Sequence, residues 1–176
     1  MANNATFSRR RFVQGLASGG ALAGLWPRQL WALKSPGHPT VLAGTDFRLS
    51  INETPVNFTG KPRSAVTVNG PLPATLLRWR EAATVNIRAD NALPATSVFG
   101  HSTSIHWHGI ILPANMDGVP GMSFNGIAVG ESYQYRFKLG QSGTYWYHSH
   151  SGFQEQAGLY GPIIIDAAEP EPFAYD

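Results

Sequence analysis

The chain of 176 residues is long enough for one domain with a real core and leaves little room for a second. Hydrophobic residues make up 43% and charged residues only 14%, while 19 Gly and 13 Pro indicate short strands joined by many turns, with few helices. There is no Cys, which excludes disulfides and thiolate metal sites, and the formal charge of +2 is concentrated in N-terminal arginines, so it gives no support to nucleic-acid or anionic-membrane binding.

The N-terminus reads as an export signal. Arg9, Arg10 and Arg11 precede an apolar run rich in Gly and Ala over residues 15–26, too short to span a bilayer comfortably. The stretch SRRRFV at residues 8–13 resembles the twin-arginine signal by which bacteria export folded proteins to the periplasm. Cleavage is expected near Ala32, which makes residues 1–32 a signal peptide and residues 33–43 a linker. Without Arg9, Arg10, Arg11 and Arg28 the chain keeps 9 basic against 11 acidic residues, a formal −2.

From Gly44 to Ala168 the apolar residues alternate. Candidate strands occupy residues 46–51, 64–69, 75–79 and 83–89, then residues 104–108, 132–139, 144–150 and 162–167, each bounded by Gly, Pro or Asn. The clearest is SYQYRFKL, where Tyr133, Tyr135, Phe137 and Leu139 share one parity and Ser132, Gln134, Arg136 and Lys138 the other. About eight short strands, taken as antiparallel, hide a shared apolar face by closing into a barrel or stacking as two sheets. Residues 169–176 read as a tail or interdomain linker, and no stretch after the signal could cross a membrane.

Four of the six histidines form two His-x-His pairs, His106/His108 in SIHWHG and His148/His150 in TYWYHSHSG. In a strand, residues i and i+2 share a face, so each pair can aim two imidazoles at one point. The same parity turns Trp107 to the opposite face, where an indole can fill the core, and leaves Trp146 beside His148 and His150. An all-imidazole set suits copper, zinc, iron or nickel, not magnesium or calcium, and spacing alone does not choose among them. A cupin would place a Glu a few residues after the pair, where this chain has Gly109-Ile110-Ile111-Leu112-Pro113. Asp117, in NMDG, has the sequence of an Asp-Gly turn, and Met116 and Met122 read as gap-fillers.

HWHG, YWYHSH and GLYGPIIID together resemble the first cupredoxin domain of the multicopper oxidases, over nearly the whole chain. TPVNFTGKPRSAVTVNGPLPATLLRWRE and GIILPANMDGVPGMSFNGI narrow the resemblance to the periplasmic copper-resistance branch. The resemblance implies a cupredoxin-like Greek-key β-sandwich. It also implies a copper enzyme in which a type 1 copper feeds electrons to a trinuclear cluster that reduces dioxygen to water, the cluster lying between the first and last domains. By motif position His106 would serve the type 2 copper, and His108, His148 and His150 the type 3 pair. Asp117 would help deliver protons, and His38 and His101 match no ligand position.

The chain departs from that pattern in carrying half of the His-x-His pairs and no Cys for the type 1 site. It therefore reads as the first domain of a longer oxidase, completed by further cupredoxin domains and inactive alone. A non-catalytic protein that sequesters periplasmic copper on four imidazoles, or a zinc site, would share these residues. A smaller departure is REAATV, where Ala82 and Ala83 stand in a turn in which the family usually has Gly and an acid.

Overall fold

The computed structural model describes residues 40–169; the expected signal peptide, most of the linker, His38 and residues 170–176 lie outside them. Eleven strands are found among the described residues. These are β1 (Val41–Ala43), β2 (Asp46–Val56), β3 (Arg63–Val68), β4 (Leu76–Arg80), β5 (Thr84–Asn91), β6 (Ser102–Thr103), β7 (His106–His108), β8 (Ile127–Ala128), β9 (Ser132–Lys138), β10 (Gly143–His148) and β11 (Tyr160–Asp166). Among the described residues a single 3₁₀ turn covers Ala114–Met116, and no described helix is long and apolar enough to cross a membrane.

Alternation builds the strands. Strand β9 buries Tyr135 and Phe137 and exposes Gln134 and Arg136, and β5 buries Val85, Ile87 and Ala89. One sheet has the order β3-β2-β5-β9, the other β1-β4-β11-β10-β7, and β6 pairs with β8 alone. Leu49, Ile51, Val85, Ile87, Tyr135 and Phe137 of the first sheet join Leu77, Trp79, Trp107, Tyr147, Ile163 and Ile165 of the second in one buried cluster. The fold is all-β and cupredoxin-like, as the sequence reading expects.

Three details differ from that reading. Strand β1 lies inside the stretch taken as linker, where it pairs with β4, and β6 and β8 are too short to show a period. The pairs β1/β4, β4/β11 and β2/β5 are parallel, not antiparallel. A parallel neighbour requires a long return connection, and here the returning chain builds the opposite sheet on its way, as from β2 through β4 to β5. The REAATV turn keeps a left-handed residue without glycine: Ala82 has φ +66, and its N–H donates to the Leu139 carbonyl at 2.9 Å.

The core is formed by apolar side chains and does not run through the histidines. Treating the chain with a chelator should therefore leave its β-sheet circular dichroism unchanged. Collapse of that signal would show that metal holds the fold, as in small zinc domains.

Candidate metal centre

Strands β7 and β10 are adjacent and antiparallel, with His148 opposite His106, Tyr147 opposite Trp107 and Trp146 opposite His108. This register turns two sequence-distant His-x-His pairs into one group. Trp107 and Tyr147 are fully buried on the core side, while the histidines and Trp146 occupy the other face. His150 lies two residues beyond the end of β10, so strand parity does not place it. Its ring nevertheless stands 4.9 Å from that of His106 and 5.0 Å from that of His148.

Hydrogen bonds fix the rings. The His106 Nδ1–H donates to the Asp117 carbonyl at 2.8 Å, which leaves Nε2 with a free lone pair. At His148, the Nδ1–H donates to the Ser149 carbonyl at 3.2 Å, with the charge of Glu155 Oε2 2.8 Å away, so Nε2 again holds the lone pair. That Nε2 lies 3.1 Å from His108 Nδ1, which donates to it in the metal-free chain. The Trp146 indole stacks on His148 with centroids 4.1 Å apart and planes 19° from parallel, and it also meets the His108 ring at 5.0 Å.

Below the rings lies a buried polar network that sequence reasoning did not find. Ser104 Oγ accepts the His150 N–H at 2.9 Å and lies 3.3 Å from Ser149 Oγ and 3.0 Å from Ser151 Oγ. Gln154, 0% exposed, accepts from Thr103 and Ser149 through Oε1 and donates to the Phe99 and Ser102 carbonyls through Nε2. Every polar atom of the Gln154 side chain thus has a partner, the condition under which a buried network rigidifies its surroundings. Gln154 and Glu155 lie in a turn with no periodic signal, and their neighbourhood to the histidines exists only in three dimensions.

Nitrogens of His106, His108 and His148 all lie within 4.8 Å of one another. Imidazole nitrogens sit about 2.0–2.1 Å from a bound ion. Two of them on one ion at near-tetrahedral or right angles are then roughly 3 Å apart, the spacing found between His108 Nδ1 and His148 Nε2. Burial holds the His148 imidazole below its ordinary pKa, aided by His150 and His106 and opposed by Ser149 and Glu155. Burial likewise lowers His150, with His106 adding to it. Both shifts favour the neutral rings that metal binding requires. The residues present fit a metal ion with nitrogen ligands. Asp117 brings Oδ1 to 3.4 Å from His106 Nδ1, while His101 is exposed and is not one of the grouped histidines.

A cupredoxin-like sandwich bearing such an imidazole cluster at adjacent strands defines a domain of the copper oxidase class. A family model described as multicopper oxidase matches residues 50–170, and the chain belongs to the multicopper oxidase family. It is 61% identical over 96% of its length to a copper resistance protein A homolog of Pseudomonas syringae pv. tomato, of which it covers 28%. It is 55% identical, again over 96%, to copper resistance protein A of Escherichia coli, of which it covers 27%. A solved multi-copper oxidase of Pseudomonas thermotolerans superposes with TM-score 0.66 at 34% identity, over 76% of this chain and 32% of that one. The chain thus spans between a quarter and a third of the length of these relatives.

Proposed function

We propose that the chain is the copper-binding first cupredoxin domain of a periplasmic multicopper oxidase of copper resistance. The observation that carries the reading is the facing of His106 and His148 across β7 and β10, which draws three imidazoles together without a thiolate, with His150 held beside them through its backbone bond to Ser104. His106 would contribute to a type 2 copper and His108, His148 and His150 to a type 3 pair, half of a trinuclear set whose other ligands come from a further cupredoxin domain. Bound there, copper supplies the redox chemistry that reduces dioxygen to water. The chain's own residues hold and orient: the Asp117 carbonyl and Ser149 carbonyl fix the Nδ1 protons, and the Ser104–Gln154 network seats the two strand ends. The Asp117 carboxylate, 40% exposed and beside His106, can carry protons between water and the cluster. Export by the twin-arginine route, from SRRRFV, completes the reading.

Titrating the 176-residue chain with Cu(II) tests this directly. Copper should bind, more loosely than to a complete ligand shell, and without intense blue absorption, because that band requires a Cys thiolate and the chain has none. Oxygen uptake with a phenol as reductant should not exceed that of free copper. Replacing His106, His108, His148 and His150 together by Ala should abolish binding; unchanged affinity would sink the site, and blue colour or sustained turnover would sink the half-cluster reading.

A further inference from the structure

Each ring nitrogen of His148 has a defined partner, and one of those partners is a carboxylate that no sequence motif points to. Glu155 Oε2 lies 2.8 Å from His148 Nδ1, whereas the Asp117 carboxylate stays 3.4 Å from His106 and leaves the closer contact to its own carbonyl. The position of Glu155 is built in. Its carbonyl accepts the Gly158 N–H at 3.0 Å, and the preceding residue is Gln154, whose N–H donates to the Ser151 carbonyl and whose amide is buried and fully bonded.

We propose that Glu155 is a positioning residue for the metal centre, acting through His148. The inference rests on the copper reading given above. The Ser149 carbonyl accepts from Nδ1 and keeps Nε2 as the lone pair directed at His108, while the Glu155 carboxylate sets a negative charge beside the same Nδ1–H. Negative charge at Nδ1–H also makes Nε2 a stronger donor to a metal, and loss of such an outer partner typically costs about 10- to 100-fold in metal affinity. The Ser149 carbonyl reaches the same Nδ1 at 3.2 Å but adds no net charge. With Trp146 stacked on the ring, the carboxylate sets how strongly Nε2 donates and the indole sets the plane in which it is offered.

The test uses Glu155→Gln, nearly the same shape but uncharged, and Glu155→Ala, with thermal melts confirming that each is folded. In the metal-free chain, ¹⁵N spectra of the imidazoles should show His148 as the Nδ1–H tautomer in the parent and both variants, held by the Ser149 carbonyl, with its ring-nitrogen shifts displaced from the parent's in both Glu155→Gln and Glu155→Ala. Cu(II) affinity by competition titration should fall about 10-fold or more in both Glu155→Ala and Glu155→Gln, since each removes the charge. In a His148→Ala background, Glu155→Ala should cause no further loss. Unchanged His148 nitrogen shifts together with unchanged affinity in Glu155→Gln overturn the proposal, as does an equal loss in the His148→Ala background. If the parent chain binds no copper the copper reading falls, and the ¹⁵N shifts of His148 still decide whether Glu155 acts on that ring.

Discussion

Replacing Gly118 by Ala should destabilise the domain by about 2 to 5 kcal/mol, from a left-handed penalty of roughly 1–2 and an overpacking cost of roughly 1–3. Gly118 has φ +72, and a Cβ there would lie 1.9 Å from the Ile105 carbonyl oxygen and 2.7 Å from its carbon. Both are backbone atoms of the residue preceding His106, so no side-chain rotation can relieve the clash. The loop must lift away from the strand, and Asp117, whose carbonyl fixes His106, moves with it. Melting temperature should drop by roughly 10 °C, since 1 kcal/mol corresponds to a few degrees for a domain of this size. Copper affinity should weaken as well. Gly121→Ala is the matched control, because Gly121 is also left-handed (φ +91) but its Cβ would meet nothing within 4 Å. If both variants melt alike, or Gly118→Ala melts within a degree or two of the parent, close approach is not what this glycine provides.

Gly118 also illustrates what a linear reading does and does not reach. NMDG announces a turn, yet nothing in it says that the turn lies against the backbone of Ile105. Period-two strands were legible because one buried face imposes the alternation, as at Val85, Ile87 and Ala89. Strand direction was not legible, since alternation is the same read either way, and β4 and β11 prove to be parallel. The shared face of His106 and His108 and the inward turn of Trp107 followed from parity alone. His150 came near the group for a different reason: it lies past the strand, and its backbone is tied to Ser104. Gln154 was silent in sequence because Thr103 and Ser102, which it bonds, lie about fifty residues away, and Glu155 because it sits in a turn without period.

The second large effect belongs to the residue between the first two histidines. Trp107 is 0% exposed and packs against Trp79 at 5.6 Å, Phe137 at 5.6 Å, Tyr135 at 5.2 Å and Tyr147 at 6.1 Å between ring centroids. These partners come from both sheets, so the indole fills the space between the layers directly behind the metal-facing surface. Trp107→Ala removes the ring and leaves a cavity lined by rigid aromatics that cannot collapse far, at a cost of about 3–5 kcal/mol. Trp107→Phe should cost much less. It keeps a ring in place and also removes the indole Nε1–H, which has no hydrogen-bond partner among the described residues. Burying such a donor is itself unfavourable by roughly 1–3 kcal/mol, so losing it offsets part of the lost packing. Urea unfolding should rank the variants parent, Phe, Ala in falling stability. Because the ligand rings point to the other face, Trp107→Phe should keep the parent's copper affinity while folded. An Ala variant within about 1 kcal/mol of the parent would mean that the sheets close over the gap, against the magnitude expected for a core of this density. Lost copper binding in a folded Phe variant would mean that the indole, and not the strand register, holds His106 and His108 in place.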